Sequence, residues 1–411
     1  MIKVGILYYG KLASLNGVSE VVKSLINGFS KNCQYDLAVE SLDFSYEGNK
    51  GVVTDVVPVT ADRASKMTEI KQKLHGIFRS LSKKSSLFSY LYFYIQYTQN
   101  ANTVVSKKGK KLDDVDVLLF QDLFTAWAYR KKFRKEWYNK KVALVMHDNG
   151  IPLDMLFDYF PKLKKSKFYS RILFQRCRSI YSEADAIVCL SDFAKRNLGH
   201  FSKDLINKCH VIANGIKDIE APISTTTSTQ KIKFVTIGTV SHRKGHDLIM
   251  NANLSISKAL RAQFAIQVIG DGPYLKEFMR LCKEKGINNI IFEGKRPNAF
   301  LYLNSANVFL LPSRNEGLPI AIIEALRAGV PVVSTNVGGI PEIIDNNVNG
   351  IIIEPTADMV KEAIIKLVKD KQNIMSLGKN ARMTYENKYT IGCMITGYSN
   401  LFKKLTDQES C

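Results

Sequence analysis

The sequence of 411 residues lacks the features of an exported or membrane-spanning protein. Its seven cysteines show no C-x-x-C pair and no zinc-site spacing, which predicts a reducing compartment and no structural zinc. No apolar run reaches the roughly 20 residues that cross a bilayer. There is no internal repeat and no charged, apolar leader at the start. We therefore expect a globular protein of the cytoplasm.

Acidic residues are also scarce, since 38 Asp and Glu stand against 58 Lys and Arg and the formal net charge is +20. The excess is concentrated in residues 61–180, which contain 25 Lys and Arg but only 10 Asp and Glu. An aromatic segment at 88–97 supplies amphipathic side chains of the kind favoured at membrane interfaces. Three basic runs belong to this stretch: Lys107, Lys108, Lys110 and Lys111; Arg130, Lys131, Lys132, Arg134 and Lys135; Lys162, Lys164, Lys165 and Lys167.

This charge distribution predicts a polyanionic partner. A basic residue near an anionic leaflet contributes about 1 kcal/mol to binding, so residues 61–180 would hold the chain at the inner face of the cell membrane as a peripheral protein. Solvated helix faces, with the aromatic side chains in the core, are the alternative. A basic chain could also bind nucleic acid. We expect no such partner, because the sequence contains no nucleic-acid recognition motif.

Short apolar runs alternate with longer amphipathic stretches along both halves of the chain, a pattern that predicts parallel β-sheets covered by helices. A length of 411 residues is enough for two such domains, each with its own core. The polar tract at 223–230 has no core-forming periodicity and indicates a domain boundary. We therefore predict domains at 1–222 and 223–384, followed by a helix within 385–411.

The spacing of Glu316 and Glu324 is the most informative local pattern. An apolar strand and a turn precede it, and a helix is predicted to start near Leu318 with Pro319 in its first position. Gly317 would let an anion approach the unpaired amides at this helix start. A diphosphate fits those amides, and a carboxylate on each side can accept hydrogen bonds from hydroxyls, as a nucleotide sugar requires. An ordinary loop acid and a helix-face charge are the alternative.

Three further loops follow predicted strands. A strand that ends at Gly238 leads into a cationic loop with Arg243 and Lys244. Another strand ends at a turn that contains Gly272. In the amino-terminal half, an apolar strand delivers His147 to a loop at its carboxyl end, where open parallel sheets bind ligands.

The residues around Glu316 and Glu324 form part of a longer phrase. Its segments are Leu311-Pro312-Ser313-Arg314-Asn315-Glu316-Gly317-Leu318-Pro319, Glu324-Ala325, Ala328-Gly329-Val330-Pro331-Val332-Val333-Ser334-Thr335, Gly338-Gly339-Ile340-Pro341-Glu342 and Asn349-Gly350. This phrase resembles glycosyltransferase family 4, which contains retaining enzymes of the GT-B fold. The family implies an α/β protein of two Rossmann-like domains, whose doubly wound parallel sheets face each other across a cleft. It also implies that the carboxyl-terminal domain binds the nucleotide sugar, that the amino-terminal domain binds the acceptor, and that the final helix crosses back.

The resemblance also implies roles for individual side chains. The catalytic group would comprise His147 against the transferred sugar, Glu316 on the sugar hydroxyls, and Lys244 and Arg243 on the departing diphosphate. Glu324 would hold the ribose. The donor-binding residues implied by the family are Gly17, Gly238, Gly272, Gly317, Leu318, Pro319 and Glu324.

Two loops depart from the family pattern. Many members have the diphosphate-binding arginine at the position where this chain has Thr239. We therefore assign that role to Arg243. The amino-terminal loop usually has two glycines, and only Gly17 remains here, at the start of a predicted helix. We expect neither metal nor cofactor, because cationic side chains and a helix start serve the diphosphate. The sequence Asp114-Val115-Asp116 imitates a D-x-D metal motif, but we interpret it as a polar lead-in to a strand.

These patterns predict a metal-independent hexosyltransferase, and the resemblance implies that it is a retaining enzyme. It would move a sugar from a nucleotide donor, with UDP as the expected nucleotide, to an acceptor hydroxyl. The expected acceptor is a lipid-linked or membrane-associated glycan in polysaccharide or glycolipid synthesis. One alternative is a catalytically silent GT-B subunit that binds and stabilises a partner glycosyltransferase. Another is an epimerase or a phosphorylase of the same fold.

Overall fold

The chain folds into two compact units. The computed structural model describes residues 1–12, 17–32, 34–47, 76–218 and 231–407. The first unit comprises Met1–Ile212 together with Met394–Cys411, and the second comprises Ala213–Cys393. The domain boundary predicted between 222 and 223 lies outside the described residues.

The carboxyl-terminal division falls later in the chain than the predicted position at 384. The helix Lys371–Lys388 runs through that point without a break. A second helix, Ile391–Leu405, follows it, and the chain returns to the first unit at Met394. The division therefore lies in the first turn of the last helix, beyond the end of the helix that contains residue 384.

The first unit is built on a seven-stranded sheet. Its strands are β1 (Ile2–Leu7), β2 (Tyr35–Glu40), β3 (Ser45–Glu47), β4 (Val117–Phe120), β5 (Lys141–Met146), β6 (Ala186–Cys189) and β7 (Cys209–Val211). The order is β3-β2-β1-β4-β5-β6-β7, and all neighbours are parallel except β2 and β3.

Helices and two short 3₁₀ segments, Gly109–Leu112 and Lys203–Lys208, connect these strands. The helices are α1 (Gly17–Phe29), α2 (Ser86–Lys108), α3 (Leu123–Lys132), α4 (Arg134–Asn139), α5 (Asp154–Phe157), α6 (Pro161–Lys165), α7 (Lys167–Glu183) and α8 (Asp192–Phe201). All four residues of β4 are buried, as expected for a parallel strand with both faces covered.

The second unit contains a six-stranded, fully parallel sheet. Its strands are β8 (Ile232–Ile237), β9 (Phe264–Ile269), β10 (Ile290–Gly294), β11 (Val308–Leu311), β12 (Val332–Thr335) and β13 (Gly350–Ile353). The helices after β8 are α9 (His246–Leu254), α10 (Lys258–Arg261), α11 (Leu275–Glu284), α12 (Ile320–Arg327), α13 (Ile340–Ile343), α14 (Ala357–Lys369) and α15 (Lys371–Lys388). A 3₁₀ segment, Ala299–Ser305, precedes β11.

The last helix, α16 (Ile391–Leu405), packs mainly on the first unit. The ring of Phe402 lies 5.6 Å from that of Phe29 and 6.2 Å from that of Tyr35. Helix α1 contributes the facing apolar surface, because its buried residues recur at the predicted helical spacing.

Both sheets reverse their strand order at one point. The first sheet does so between β1 and β4, and the second, with the order β10-β9-β8-β11-β12-β13, does so between β8 and β11. Loops at the carboxyl ends of such strand pairs diverge to opposite faces of the sheet and leave a crevice for ligands. The predicted α/β class with parallel sheets is confirmed, and the candidate residues lie at these two edges.

Candidate functional site

Three charged side chains meet at the strand-order reversal of the second sheet. Lys244 and Arg243 come from the loop after β8, and Glu316 comes from the loop after β11. Lys244 Nζ lies 2.6 Å from Glu316 Oε1, and Arg243 Nη1 lies 3.4 Å from Glu316 Oε2. Arg243 also donates a hydrogen bond to the Asn315 carbonyl at 2.8 Å. The structure therefore brings together three of the predicted catalytic residues.

The charges in this cluster are strongly coupled because the carboxylate is buried. Glu316 is 3% exposed, and burial by itself would raise the pKa of its carboxyl group. The attraction of Lys244 and Arg243, together with their contacts, outweighs that effect and holds the pKa below its ordinary value. Burial lowers the pKa of Lys244, and Glu316 opposes the shift. Glu316 is thus held as a carboxylate that accepts hydrogen bonds.

Glycine residues allow the loops of this cluster to approach one another. Gly245 has a φ of +73°, and a Cβ there would lie 1.9 Å from the Pro312 carbonyl oxygen. Gly338 has a φ of +60°, and a Cβ there would lie 1.9 Å from the carbonyl oxygen of Glu316. A larger residue at either position would push apart the backbone that holds the charged side chains.

The predicted donor-binding residues of the second unit lie on the same sheet edge. Gly238 follows β8, and Gly272 lies in the turn after β9, where a Cβ would meet the Val240 carbonyl oxygen at 2.3 Å. Gly317, Leu318 and Pro319 are buried between β11 and α12.

The start of α12 differs slightly from the prediction. Pro319 occupies the N-cap position and Ile320 is the first helical residue, so Pro319 precedes the helix and does not take its first position as predicted. Glu324 is half-buried on this helix, about 6 Å along its axis from Ile320 at the usual rise per residue. The two acids therefore remain on either side of the helix start, as predicted, and their roles stay predictions.

The remaining predicted residues lie in the first unit. Gly17 is the first residue of α1, directly after residues that lie outside the described part of the chain. His147 follows β5, and its Nε2 lies 3.0 Å from Oε1 of Gln121, the residue after β4. Burial lowers the pKa of His147 to about 4, so the ring is neutral near pH 7. A neutral ring with Nε2 protonated donates to Gln121.

Two half-buried acids follow this pair in the chain, Asp122 after Gln121 and Asp148 after His147. Burial raises the pKa of Asp122 to about 6 and that of Asp148 to about 7. Asp122 accepts hydrogen bonds from the backbone N–H groups of Tyr9 and Thr125, which partly oppose the shift. Near pH 7, Asp122 is therefore mostly ionised and Asp148 is about half ionised, so the carboxyl edge of the first sheet carries partial negative charge.

Sequence reasoning did not identify several residues that hold the charged cluster. Ser313, which is fully buried, donates a hydrogen bond to Glu316 Oε1 at 2.7 Å. Arg314 makes two hydrogen bonds to Asp247, at 2.8 and 2.7 Å, and joins the loop after β11 to the first turn of α9. Ser313 lies within the family phrase and could have been considered. The pair Arg314–Asp247 gave no local signal because 67 residues separate its members.

The D-x-D sequence has a structural role, in line with its interpretation as a lead-in to β4. Asp114 forms an ion pair with Lys3, and Asp116 accepts the backbone N–H of Lys3 at 2.8 Å. Both acids therefore fasten the start of β1 to the start of β4.

Two family models match the chain. The model described as Glycosyltransferase Family 4 matches residues 15–218, and the model described as Glycosyl transferases group 1 matches residues 219–384. The chain belongs to glycosyltransferase family 4. The family predicted from the phrase around Glu316 and Glu324 is confirmed.

The names of curated relatives specify different donors and acceptors. The 2-deoxystreptamine N-acetyl-D-glucosaminyltransferase of Niallia circulans is 24% identical over 370 residues, which are 86% of this chain and 93% of that protein. The GDP-mannose-dependent alpha-(1-6)-phosphatidylinositol monomannoside mannosyltransferase of Mycobacterium tuberculosis is 32% identical over 151 residues, 34% of this chain. That alignment covers 39% of the mannosyltransferase. An uncharacterised glycosyltransferase of Methanocaldococcus jannaschii is 25% identical over 55% of this chain, and the alignment covers 61% of that protein.

Solved structures share the fold of this family 4 chain. HepE of Anabaena, solved in complex with UDP-glucose, superimposes with a TM-score of 0.70 at 14% identity, over 98% of this chain and 100% of that chain. Sucrose-phosphate synthase from Thermosynechococcus elongatus gives a TM-score of 0.69 at 16% identity, over 100% of both chains. These likenesses confirm the predicted GT-B fold. None of the helices in the described residues is long and apolar enough to cross a membrane.

Proposed function

We propose that this chain is a retaining, metal-independent glycosyltransferase that uses a nucleotide-sugar donor. The observation that carries the proposal is the convergence of Lys244 and Arg243 on the buried carboxylate of Glu316. Two cations beside a helix start can neutralise a diphosphate without a metal ion. A carboxylate next to them can accept hydrogen bonds from sugar hydroxyls.

In the proposed reaction, the bond between the anomeric carbon and the leaving phosphate oxygen breaks. Its electron pair stays on the nucleoside diphosphate, whose growing charge Lys244 and Arg243 stabilise. The acceptor oxygen bonds to the same face of the anomeric carbon, which retains the configuration. A phosphate oxygen of the leaving group takes the proton of the acceptor hydroxyl. The contact of His147 with the transferred sugar stays a prediction.

We propose a UDP-hexose as the donor. The structures of HepE in complex with UDP and UDP-glucose support this choice, since HepE shares the fold. The name of the mycobacterial relative specifies GDP-mannose, so a GDP-sugar is the competing donor.

We propose a lipid-linked or membrane-associated glycan as the acceptor, used at the inner face of the cell membrane. The basic stretch 61–180 supports an anionic surface as partner, and one relative is named for a phosphatidylinositol mannoside. The name of the Niallia relative specifies 2-deoxystreptamine instead. A small amino-sugar acceptor is therefore the competing assignment.

A panel of UDP-, GDP- and ADP-sugars would test the donor. A ligand at 100 times its dissociation constant stabilises a protein by about 2.7 kcal/mol, so thermal unfolding should identify the nucleotide. Release of nucleoside diphosphate, measured with and without EDTA, then tests turnover and metal independence. Loss of turnover in EDTA would refute the metal-independent mechanism.

Two substitutions test the site itself. Lys244→Ala and Glu316→Ala should each abolish turnover with circular dichroism unchanged, while Lys276→Ala on α11 serves as an exposed control. Turnover at the wild-type rate in either site variant would contradict the proposal. Donor binding without any hydrolysis or transfer by the wild-type protein would instead favour the silent-subunit alternative.

A further inference from the structure

Helix α2 exposes apolar side chains along one face. Leu87 is 47% exposed, Leu91 37%, Tyr94 36% and Ile95 47%. The spacing of four, three and one residues places these side chains on the same side of a helix, over a length of about 12 Å. We call these four residues the α2 stripe. Tyr92 and Phe93 point the other way and are buried in the core of the first unit.

A neighbouring helix extends this apolar surface. Phe168, at the start of α7, is 67% exposed, and its ring lies 5.2 Å from that of Tyr169. Tyr169 stacks on Tyr90 of α2 at 4.9 Å, and Tyr90 lies 6.3 Å from Tyr94 of the stripe. An unbroken series of ring contacts therefore joins Phe168 to the stripe.

Basic side chains surround this surface. Lys83 and Lys84 are exposed just before α2. Lys165 at the end of α6, together with Lys167 and Arg171 at the start of α7, is exposed beside Phe168. Helices α6 and α7 pack on α2, so their basic residues belong to neighbours of the helix that carries the stripe.

We propose that the α2 stripe and Phe168 dock on an anionic lipid surface, with the surrounding lysines and arginine at the level of the headgroups. Apolar side chains enter the boundary between headgroups and acyl chains, and Lys and Arg attract anionic lipids. This inference rests on the proposed function in one respect, since a lipid-linked acceptor would lie in the same surface.

Charge argues against two other occupants. A second copy of this chain carries the same net charge of +20 and would bring basic residues against basic residues. Nucleic acid would pair with the lysines, and its bases could stack on Tyr94 and Phe168, but it would leave the aliphatic side chains of Leu87, Leu91 and Ile95 without an apolar partner. An anionic bilayer matches both the basic and the aliphatic parts of the surface.

Flotation of the full-length protein with phosphatidylcholine vesicles, with and without phosphatidylglycerol, tests the proposal. Wild-type protein should float with the anionic vesicles only. Leu91→Ser/Ile95→Ser should weaken partitioning about tenfold or more, since each apolar side chain contributes through its buried area. Lys165→Gln/Lys167→Gln should weaken it about fivefold for each lysine removed.

Matched substitutions on the second unit serve as controls. Met375→Ser/Met383→Ser removes two apolar side chains of α15 that are 51% and 49% exposed, and Lys276→Gln/Lys283→Gln removes two exposed lysines of α11. Both controls should float like the wild type. Turnover of a water-soluble donor, measured without vesicles, should be unchanged in all four double variants, so loss of docking and loss of the proposed enzyme activity remain distinguishable.

Three results would overturn the inference. Equal flotation with neutral and anionic vesicles would exclude the role of charge. Wild-type flotation of either first-unit variant would exclude this surface. A concentration-dependent dimer in sedimentation, absent from Leu91→Ser/Ile95→Ser, would show instead that a second copy covers the stripe.

Discussion

The carboxyl edges of the two sheets share burial but differ in charge. In the second unit, Lys244 and Arg243 surround Glu316, and the pKa of the acid stays below its ordinary value despite burial. In the first unit, Asp148 has no such cation among the causes of its shift, and burial raises its pKa to about 7. Burial alone favours the neutral form of a carboxyl group, and a close counter-charge opposes that effect and keeps a buried carboxylate ionised.

This difference matches two kinds of ligand chemistry. The edge with two cations suits the diphosphate of a donor, which carries fixed negative charge. The edge around His147 and Gln121 offers neutral hydrogen-bonding groups, which suit uncharged hydroxyls. A change of charge at the carboxyl edge of the second sheet should therefore affect donor binding, whereas a change of charge at the edge of the first sheet should affect the pH dependence of stability.

The largest effect is expected from removing a cation from the charged edge. Lys244→Met keeps most of the side-chain volume but removes the ammonium group beside the diphosphate. We expect donor turnover to fall by roughly 10²- to 10³-fold, the usual loss when one charge-stabilising donor is removed from an active site. Steady-state release of nucleoside diphosphate measures it, with Lys276→Met as the surface control. A loss of turnover below about threefold would show that the ammonium group of Lys244 does not stabilise the departing diphosphate.

Removing the carboxylate should affect stability. Glu316→Gln leaves Lys244 and Arg243 without a counter-charge, so the free energy of unfolding should fall by about 3 kcal/mol, as when a buried ion pair loses one partner. A bound nucleoside diphosphate supplies negative charge again and should stabilise this variant more than it stabilises the wild type. Denaturant unfolding with and without nucleotide measures both effects. Equal stabilisation of the two proteins would contradict the assignment of the cations to the diphosphate.

The carboxyl edge of the first sheet should show a pH dependence of the free energy of unfolding. A carboxyl group whose pKa is raised on folding favours the folded state at low pH and loses that contribution as pH rises from the unfolded value of about 4 to the folded value of about 7. Asp148→Asn should therefore stabilise the protein at pH 8 by on the order of 2 kcal/mol, after allowance for partial exposure. The gain should disappear towards pH 4.

Unfolding by urea at several pH values measures this effect. Asp271→Asn is the control, because Asp271 is an exposed acid that also accepts a local backbone N–H, from Gly272 at 2.7 Å. A gain that does not depend on pH would mean that the substitution acts through packing instead of charge.

A carboxylate introduced beside His147 should give the histidine a counter-charge, as Glu316 gives one to Lys244. Gln121→Glu places negative charge beside His147 Nε2 and should raise the pKa of the histidine by about 1 unit or more from its present value of about 4. An NMR titration of the His147 ring measures the change. Unchanged titration would show that Gln121 does not contact the ring in solution.

The smallest effect is expected at the connection between loops. Arg314→Ala removes the two hydrogen bonds to Asp247. Because Arg314 is 38% exposed, the unfolding free energy should change by less than about 1 kcal/mol. The KM for the donor should rise several-fold, since the loop that carries Lys244 loses a support. Arg280→Ala, which breaks an exposed pair with Glu284, should change neither quantity appreciably.

The aromatic segment 88–97 illustrates the limit of sequence reasoning. The sequence allowed two interpretations, a membrane-facing surface and a buried core. The structure contains both, because Phe93 is buried while Tyr94 and Ile95 are exposed. A helix has two faces, and composition alone does not show which residues pack against neighbouring helices.

The sequence by itself determined the family, the α/β class and the strand-to-helix segments that carry Glu316 and Lys244, since each depends on residues close together in the chain. Tertiary structure decided which distant groups meet. The contact of Lys244 with Glu316 and the pair Arg314–Asp247 arise because β8 and β11 are neighbours in the sheet. Strand pairing brings together residues some 70 positions apart, and local sequence patterns do not show which strands pair.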